Sequence, residues 1–168
     1  MKKNGFTVVE LIITIVILAF GILGLYGFFY PSIVLTSNFP LHLTANNLAQ
    51  EGIEIVKNIR DNNILALRQW ADGFDICTAG CQLDYKTGTG SETNANHLKR
   101  YQNTFLNKNS DGFYSYDRGS ATLFKRKITI TKPSGLDDDI LRIEVLITWN
   151  YRDRAFNSSF IGYIYNWL

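Results

Sequence analysis

The first thirty residues constrain this chain most. They read MKKNGFTVVELIITIVILAFGILGLYGFFY, two lysines at positions 2 and 3 followed by an almost wholly apolar run over residues 6–30. Thr7, Glu10 and Thr14 are its only markedly polar residues before Tyr26. An α-helix rises about 1.5 Å per residue and about 20 residues cross a bilayer core, so the run is long enough to span. Its β-branched content does not oppose a helix, because lipid offers backbone groups no partner and a helix satisfies them internally. Lys2 and Lys3 precede the run and the next basic residue is Lys57, which leaves the N-terminus in the cytoplasm and sends the rest across. An ordinary secretory signal has a shorter apolar core, about 7–15 residues, and small residues at its cleavage site. Here the run ends in YGFFYPS. Neither that signal nor a generic signal anchor accounts for Glu10, because a lone carboxylate in a membrane-length helix is costly.

The stretch KKNGFTVVELIITIVILAF resembles the signal of type IV prepilins and pseudopilins. The resemblance implies that a prepilin peptidase cuts on the cytoplasmic side between Gly5 and Phe6. Phe6 then becomes an N-methylated N-terminus and the apolar helix is kept. Glu10 matches the family's acid, whose implied role is assembly: its partner is the Phe6 amine of a neighbouring subunit. Major pilins often carry a proline late in this helix. Here Gly21, Gly24 and Gly27 stand at spacing three before Pro31. Glycines lower helix stability by about 1 kcal/mol each relative to alanine, and they permit close helix packing.

Pro40 predicts a kink or break ahead of the next periodic segment. LHLTANNLAQEGIEIVKNIRDNNILAL then repeats at helical spacing. Leu41, Ala45, Leu48, Gly52, Ile55 and Ile59 fall along one face, and Ala49, Ile53 and Val56 widen it. Glu51 and Glu54 read as a solvated face, since no His or nucleophile stands at a catalytic spacing. Glu54 and Lys57 form an i,i+3 pair. The stretch NNLAQEGIEIVKNIRDNN resembles the head-facing helix of minor pilins. His42 and His97 are isolated in sequence and read as surface or capping residues rather than metal ligands.

Residues 69–111 are polar, and KTGTGSETNAN reads as a flexible loop, with CQLDY and NTFLN as short strand candidates. Cys77 and Cys81, in CTAGC, lack the Cys or His neighbours of a zinc site. Outside the cytoplasm they read as a small disulfide, with two free thiols as the alternative, and the short loop puts its stabilisation at the low end of about 0–5 kcal/mol. From Gly112 strand signals take over, in GFYSYD, ATLFKRKITIT, ILRIEVLITWNY and FNSSFIGYIYNWL. Phe124, Ile128 and Ile130 make one inner row and Leu141, Ile143, Val145, Ile147 and Trp149 another. Arg126 breaks the first row, which places it near a sheet edge. Turns fall in KPSGLDDD and YRDRAFN. The acids Asp137, Asp138 and Asp139 are a weak calcium candidate, lack an EF-hand pattern, and read better as a solvated turn.

The expected fold is α+β: a long N-terminal helix, membrane-spanning in its first half and amphipathic in its second, packed against an antiparallel β-meander. Residues 1–5 form the leader, 6–33 the membrane or filament-core helix, 34–68 its amphipathic continuation and 69–168 the head. No catalytic motif is present, so no enzyme and no cofactor are expected. The net charge is +2 and the 19% charged residues form no basic block, so no specific nucleic acid is expected. The expected function is a minor type IV pilin, in the inner membrane with its head outside and then in an extracellular pilus or an envelope pseudopilus. Its expected partners are the prepilin peptidase, other pilin subunits, the assembly platform and, before assembly, membrane lipid. A secretion or competence pseudopilin and a membrane-tethered ligand-binding module are the alternatives.

Overall fold

A computed structural model describes residues 5, 7–87, 98–117, 119–135 and 139–167. Phe6, His97, Asp137, Asp138 and most of the KTGTGSETNAN stretch lie outside the described residues. One helix, α1 (Val8–Leu65), is followed by a short 3-10 turn (Phe74–Cys77) and eight strands. The strands are β1 (Cys81–Gln82), β2 (Lys99–Arg100), β3 (Asn107–Lys108), β4 (Tyr114–Ser115), β5 (Ser120–Ala121), β6 (Lys125–Thr131), β7 (Ile140–Tyr151) and β8 (Arg154–Tyr165). By its contacts the chain divides into Met1–Pro40 and Leu41–Leu168.

In the first unit α1 begins on Thr7, whose hydroxyl accepts the Glu10 N–H at 3.3 Å. That is the N-cap arrangement, and it satisfies one of the donors that a helix start leaves without a partner. The residues from Val8 to Tyr30 form 23 consecutive positions of membrane-spanning length and composition, with none of their side chains buried. The helix does not break at Pro40, contrary to expectation: its residues stay helical from Val8 through to Leu65. Proline removes one i→i−4 bond and crowds one carbonyl, at about 3 kcal/mol, which helix turns on either side can absorb.

In the second unit the amphipathic stripe does what its spacing predicts. Ala45, Leu48, Ala49, Ile55, Val56 and Ile59 are buried, and they join a core with the inward residues of β6 and β7. Gly52 lies in this stripe because the sheet comes close: a Cβ there would stand 3.0 Å from Val145 Cγ1 and 3.3 Å from Ile128 Cδ1. The end of α1 is closed by a Schellman motif. Arg68 N–H bonds Asn63 O and Leu67 N–H bonds Ile64 O, with Leu67 in the left-handed region at φ 55°.

All strand pairs are antiparallel, in a five-stranded sheet of order β2-β1-β6-β7-β8 and a three-stranded sheet of order β4-β3-β5. β6, β7 and β8 are the predicted meander. Leu141, Ile143, Val145, Ile147 and Trp149 are buried on the inward face of β7, as their alternation requires. β7 and β8 pair one to one over twelve positions and are joined by the two-residue turn Arg152–Asp153, both residues at positive φ. Sequence patterning misplaces the short strands. CQLDY contributes only Cys81 and Gln82, NTFLN contributes only Asn107, and β2 was not expected. Two residues are too few to show a period of two, so only their tertiary partners identify them.

Candidate functional site

Two places hold the candidate side chains, one in each unit. The first is the start of α1. Glu10 lies in the first helical turn, where a helix carries partial positive charge and an acid is favoured. Thr7 and Glu10 have the T-x-x-E spacing of a capping box, and the threonine half of it is formed. Among the described residues the Glu10 carboxylate has no hydrogen-bond or ion-pair partner. Among the described residues nothing stands within 4 Å of where a Cβ would lie at Gly21, Gly24 or Gly27. The exposed face bears an aromatic cluster toward its end, with Tyr26 stacked on Tyr30 at 5.9 Å and Phe28 edge-on to Phe29 at 5.7 Å. Such a surface is stable in lipid or among other apolar helices, not in water.

The second place is the polar node inside the head, and it corrects the reading of two residues. Arg126 is not at an edge. It lies in β6, the central strand of the five, and its side chain is fully buried. Its inward position among Phe124, Ile128 and Ile130 follows from the strand alternation; its charge is handled by carbonyls. One guanidinium nitrogen donates to Leu48 O at 3.1 Å and another to Leu83 O. Glu51 Oε2 stands 3.5 Å away, with its side chain about a third exposed. Glu51 is therefore not simply a solvated carboxylate. Burial pushes its carboxyl above the usual range, and Arg126 only partly opposes the shift. Glu54 is exposed and pairs with Lys57 at 2.8 Å, as its spacing predicts.

Around this node Tyr116 donates its hydroxyl to Arg126 O at 3.0 Å, and burial pushes that phenol up to about 12. Asp84 accepts the Tyr116 N–H at 3.2 Å and the Lys86 N–H at 3.1 Å. Beside them lies a groove of about 590 Å³ lined by Gln82, Asp84, Gln102, Thr104 and the Lys86–Asp117 ion pair, with Phe105 and Tyr116 as its aromatic members. Helix, loop and sheet are tied together here by hydrogen bonds.

Cys77 and Cys81 are joined in a disulfide that ends the 3-10 turn and starts β1. His42 is not isolated: its ring stands edge-on to Trp149 at 4.9 Å and to Phe156 at 5.8 Å. Asp139 O accepts the Asn166 N–H and its carboxylate accepts the Asn166 side-chain amide, so this acid closes the β7–β8 end. Among the described residues no group of three His, Cys, Asp or Glu is placed to hold a metal ion. Nothing in the sequence singled out the Arg126 node beyond one cation in an apolar row. That irregularity was the available signal.

Residues 1–26 match the family model described as the prokaryotic N-terminal methylation motif, the prepilin-type signature. No curated protein and no solved structure matches the chain.

Proposed function

We propose that this protein is a minor type IV pilin, a structural subunit that works by packing rather than by chemistry. The observation that carries this is the junction of the methylation motif at residues 1–26 with an unburied apolar helix bearing a single acid, Glu10. Prepilin peptidase removes residues 1–5 and leaves Phe6 as a methylated amine. The helix from Val8 to Tyr30 holds the subunit in the inner membrane, head outside, until the assembly platform moves it into a filament among other pilin subunits. The same chemistry suits a pseudopilin of a secretion or uptake system. The minor pilin is favoured by the amphipathic stretch NNLAQEGIEIVKNIRDNN, by glycines where a major pilin has proline, and by the strand-rich head.

In a filament core water is scarce, and a carboxylate without a partner is strongly disfavoured. Cleavage creates a cation, the Phe6 amine, close to Glu10 in sequence. Pairing of Glu10 with that amine on a neighbour offsets the burial of both charges and favours one axial register, the role in which buried ion pairs are best attested. Two measurements test the proposal. Intact mass of the native protein is expected to begin at Phe6 with one added methyl group; a chain beginning beyond Tyr26 would establish an ordinary secretory signal instead. Glu10→Val is expected to leave membrane insertion and cleavage intact and to deplete the protein from sheared filaments, and equal recovery of variant and parent in that fraction would refute the pairing.

A further inference from the structure

The outer edge of β8 points to a partner. β8 (Arg154–Tyr165) ends the five-stranded sheet, with β7 on one side only. Tyr151 and Arg154 flank the two-residue turn, and in such a hairpin the flanking pair is hydrogen-bonded. The even-numbered residues of β8 therefore direct their N–H and C=O groups to β7. The Asn166 N–H bond to Asp139 O, just past the strand, keeps that parity. The N–H and C=O groups of Ala155, Asn157, Ser159, Ile161, Tyr163 and Tyr165 then face outward. Among the described residues none of them has a hydrogen-bond partner, and the side chains of all six are exposed.

Proteins protect such an edge with proline, inward charge, a bulge or a short strand. β8 uses none of these. From Ala155 to Tyr165 there is no proline and no charged residue, and the pairing with β7 runs one to one without a bulge. The opposite edge is the contrast. β2 is two residues long, and both Lys99 and Arg100 are exposed cations. An edge of eleven uncharged residues with Ile161, Tyr163 and Tyr165 beside it is a template for strand addition.

We propose that this edge takes an extended, uncharged strand, apolar at alternate positions, from a second and non-identical protein. A second copy of this chain fits poorly on two grounds. Head-to-tail pairing would need β2 as the complementary edge, and β2 is short and doubly basic. Within the second unit α1 runs along β8, with Asn46 at Ser158, Ile53 at Gly162 and Arg60 at Trp167, so antiparallel pairing of two β8 strands puts the Leu41 ends of the two copies at opposite ends of the pair, which disfavours two chains anchored in one membrane through the segments before Leu41. That second ground rests on the membrane-anchored pilin reading above; the unprotected edge does not. A companion subunit anchored in the same membrane meets both conditions.

The test places benzoylphenylalanine at Asn157, Ile161 or Tyr165, one at a time, in the full chain in its native membrane, with Lys99 on the opposite edge as control. After irradiation the adducts are mapped by mass spectrometry. The expected result is one partner polypeptide other than this chain, crosslinked within one continuous segment. The partner residue should advance by about four positions for each four-residue step of the probe, as paired strands require. Asn157→Pro removes an outward N–H without touching the β7 ladder. It is expected to lower the Ile161 adduct about tenfold while the Cys77–Cys81 disulfide and the far-ultraviolet circular dichroism stay unchanged. Adducts to a second copy, adducts without register, no adduct above the control, or an Ile161 adduct indifferent to Asn157→Pro would each overturn the proposal. If the mature chain does not begin at Phe6 while the register of adducts holds, the pilin reading fails and the edge assignment stands.

Discussion

Replacing Arg126 and Glu51 separately should show that carbonyl oxygens, more than the carboxylate, hold the buried cation. The guanidinium donates to Leu48 O and Leu83 O, whereas Glu51 stands farther off, at 3.5 Å, and is a third exposed. Arg126→Met keeps most of the volume and removes the charge. It relieves a burial cost of several kcal/mol and forfeits two charge-assisted hydrogen bonds of about 1.5–3 kcal/mol each. Leu48 O retains its bond within the helix, so only Leu83 O is left short of a donor, and the net loss is about 1–3 kcal/mol. Arg126→Ala adds a cavity under the central strand and should cost about 3–5 kcal/mol. Glu51→Gln, on the rim, should cost less than about 1 kcal/mol.

Denaturant unfolding of the full chain in detergent micelles, followed by circular dichroism, measures all three. The double variant Glu51→Gln with Arg126→Met should be additive within about 0.5 kcal/mol. A Glu51→Gln loss near 3 kcal/mol, with the double variant no worse than either single one, would refute this reasoning and make Glu51 the essential counter-ion. The pH dependence supplies an independent check. Burial raises the Glu51 carboxyl in the folded protein above its usual 4.5, so the folded state binds this proton more readily than the unfolded state. Stability from this group is fully present below 4.5 and is lost as pH rises through the raised folded value. Glu51→Gln should abolish that loss.

Leu67 holds the left-handed position of the Schellman motif that glycine usually fills, and its side chain is almost fully exposed. Leu67→Gly should therefore stabilise the head by about 1 kcal/mol, read as a higher denaturation midpoint with unchanged slope. Gly52→Ala gains about 1 kcal/mol of helix propensity but drives a methyl group against Val145 and Ile128. Overpacking costs about 1–3 kcal/mol, so a net loss is expected in the same unfolding assay, and a stabilised variant would show that the helix can lift from the sheet freely.

The fold was legible wherever a period ran long enough to be counted. The buried stripe of α1 and the inward row of β7 follow directly from spacings of 3.6 and 2, because burial of one face is what those periods encode. Arg126 kept its place in the β6 row and was misread, since alternation reports which way a side chain points but not which acceptors await it. Those acceptors, Leu48 O and Leu83 O, come from segments 78 and 43 residues away. Of the kink or break expected near Pro40, the break does not occur, because α1 stays helical from Val8 to Leu65. The start of α1 is different again, for T-x-x-E is written plainly at residues 7–10 and has two physical meanings. Its threonine fixes the first helical turn by taking the Glu10 amide. The Glu10 carboxylate remains without a partner among the described residues. Cap and acid thus divide the work: the cap starts the helix immediately after the Gly5–Phe6 junction. The acid is favoured at that end by the helix dipole, and in the pilin reading proposed above its partner is the Phe6 amine of a neighbouring subunit.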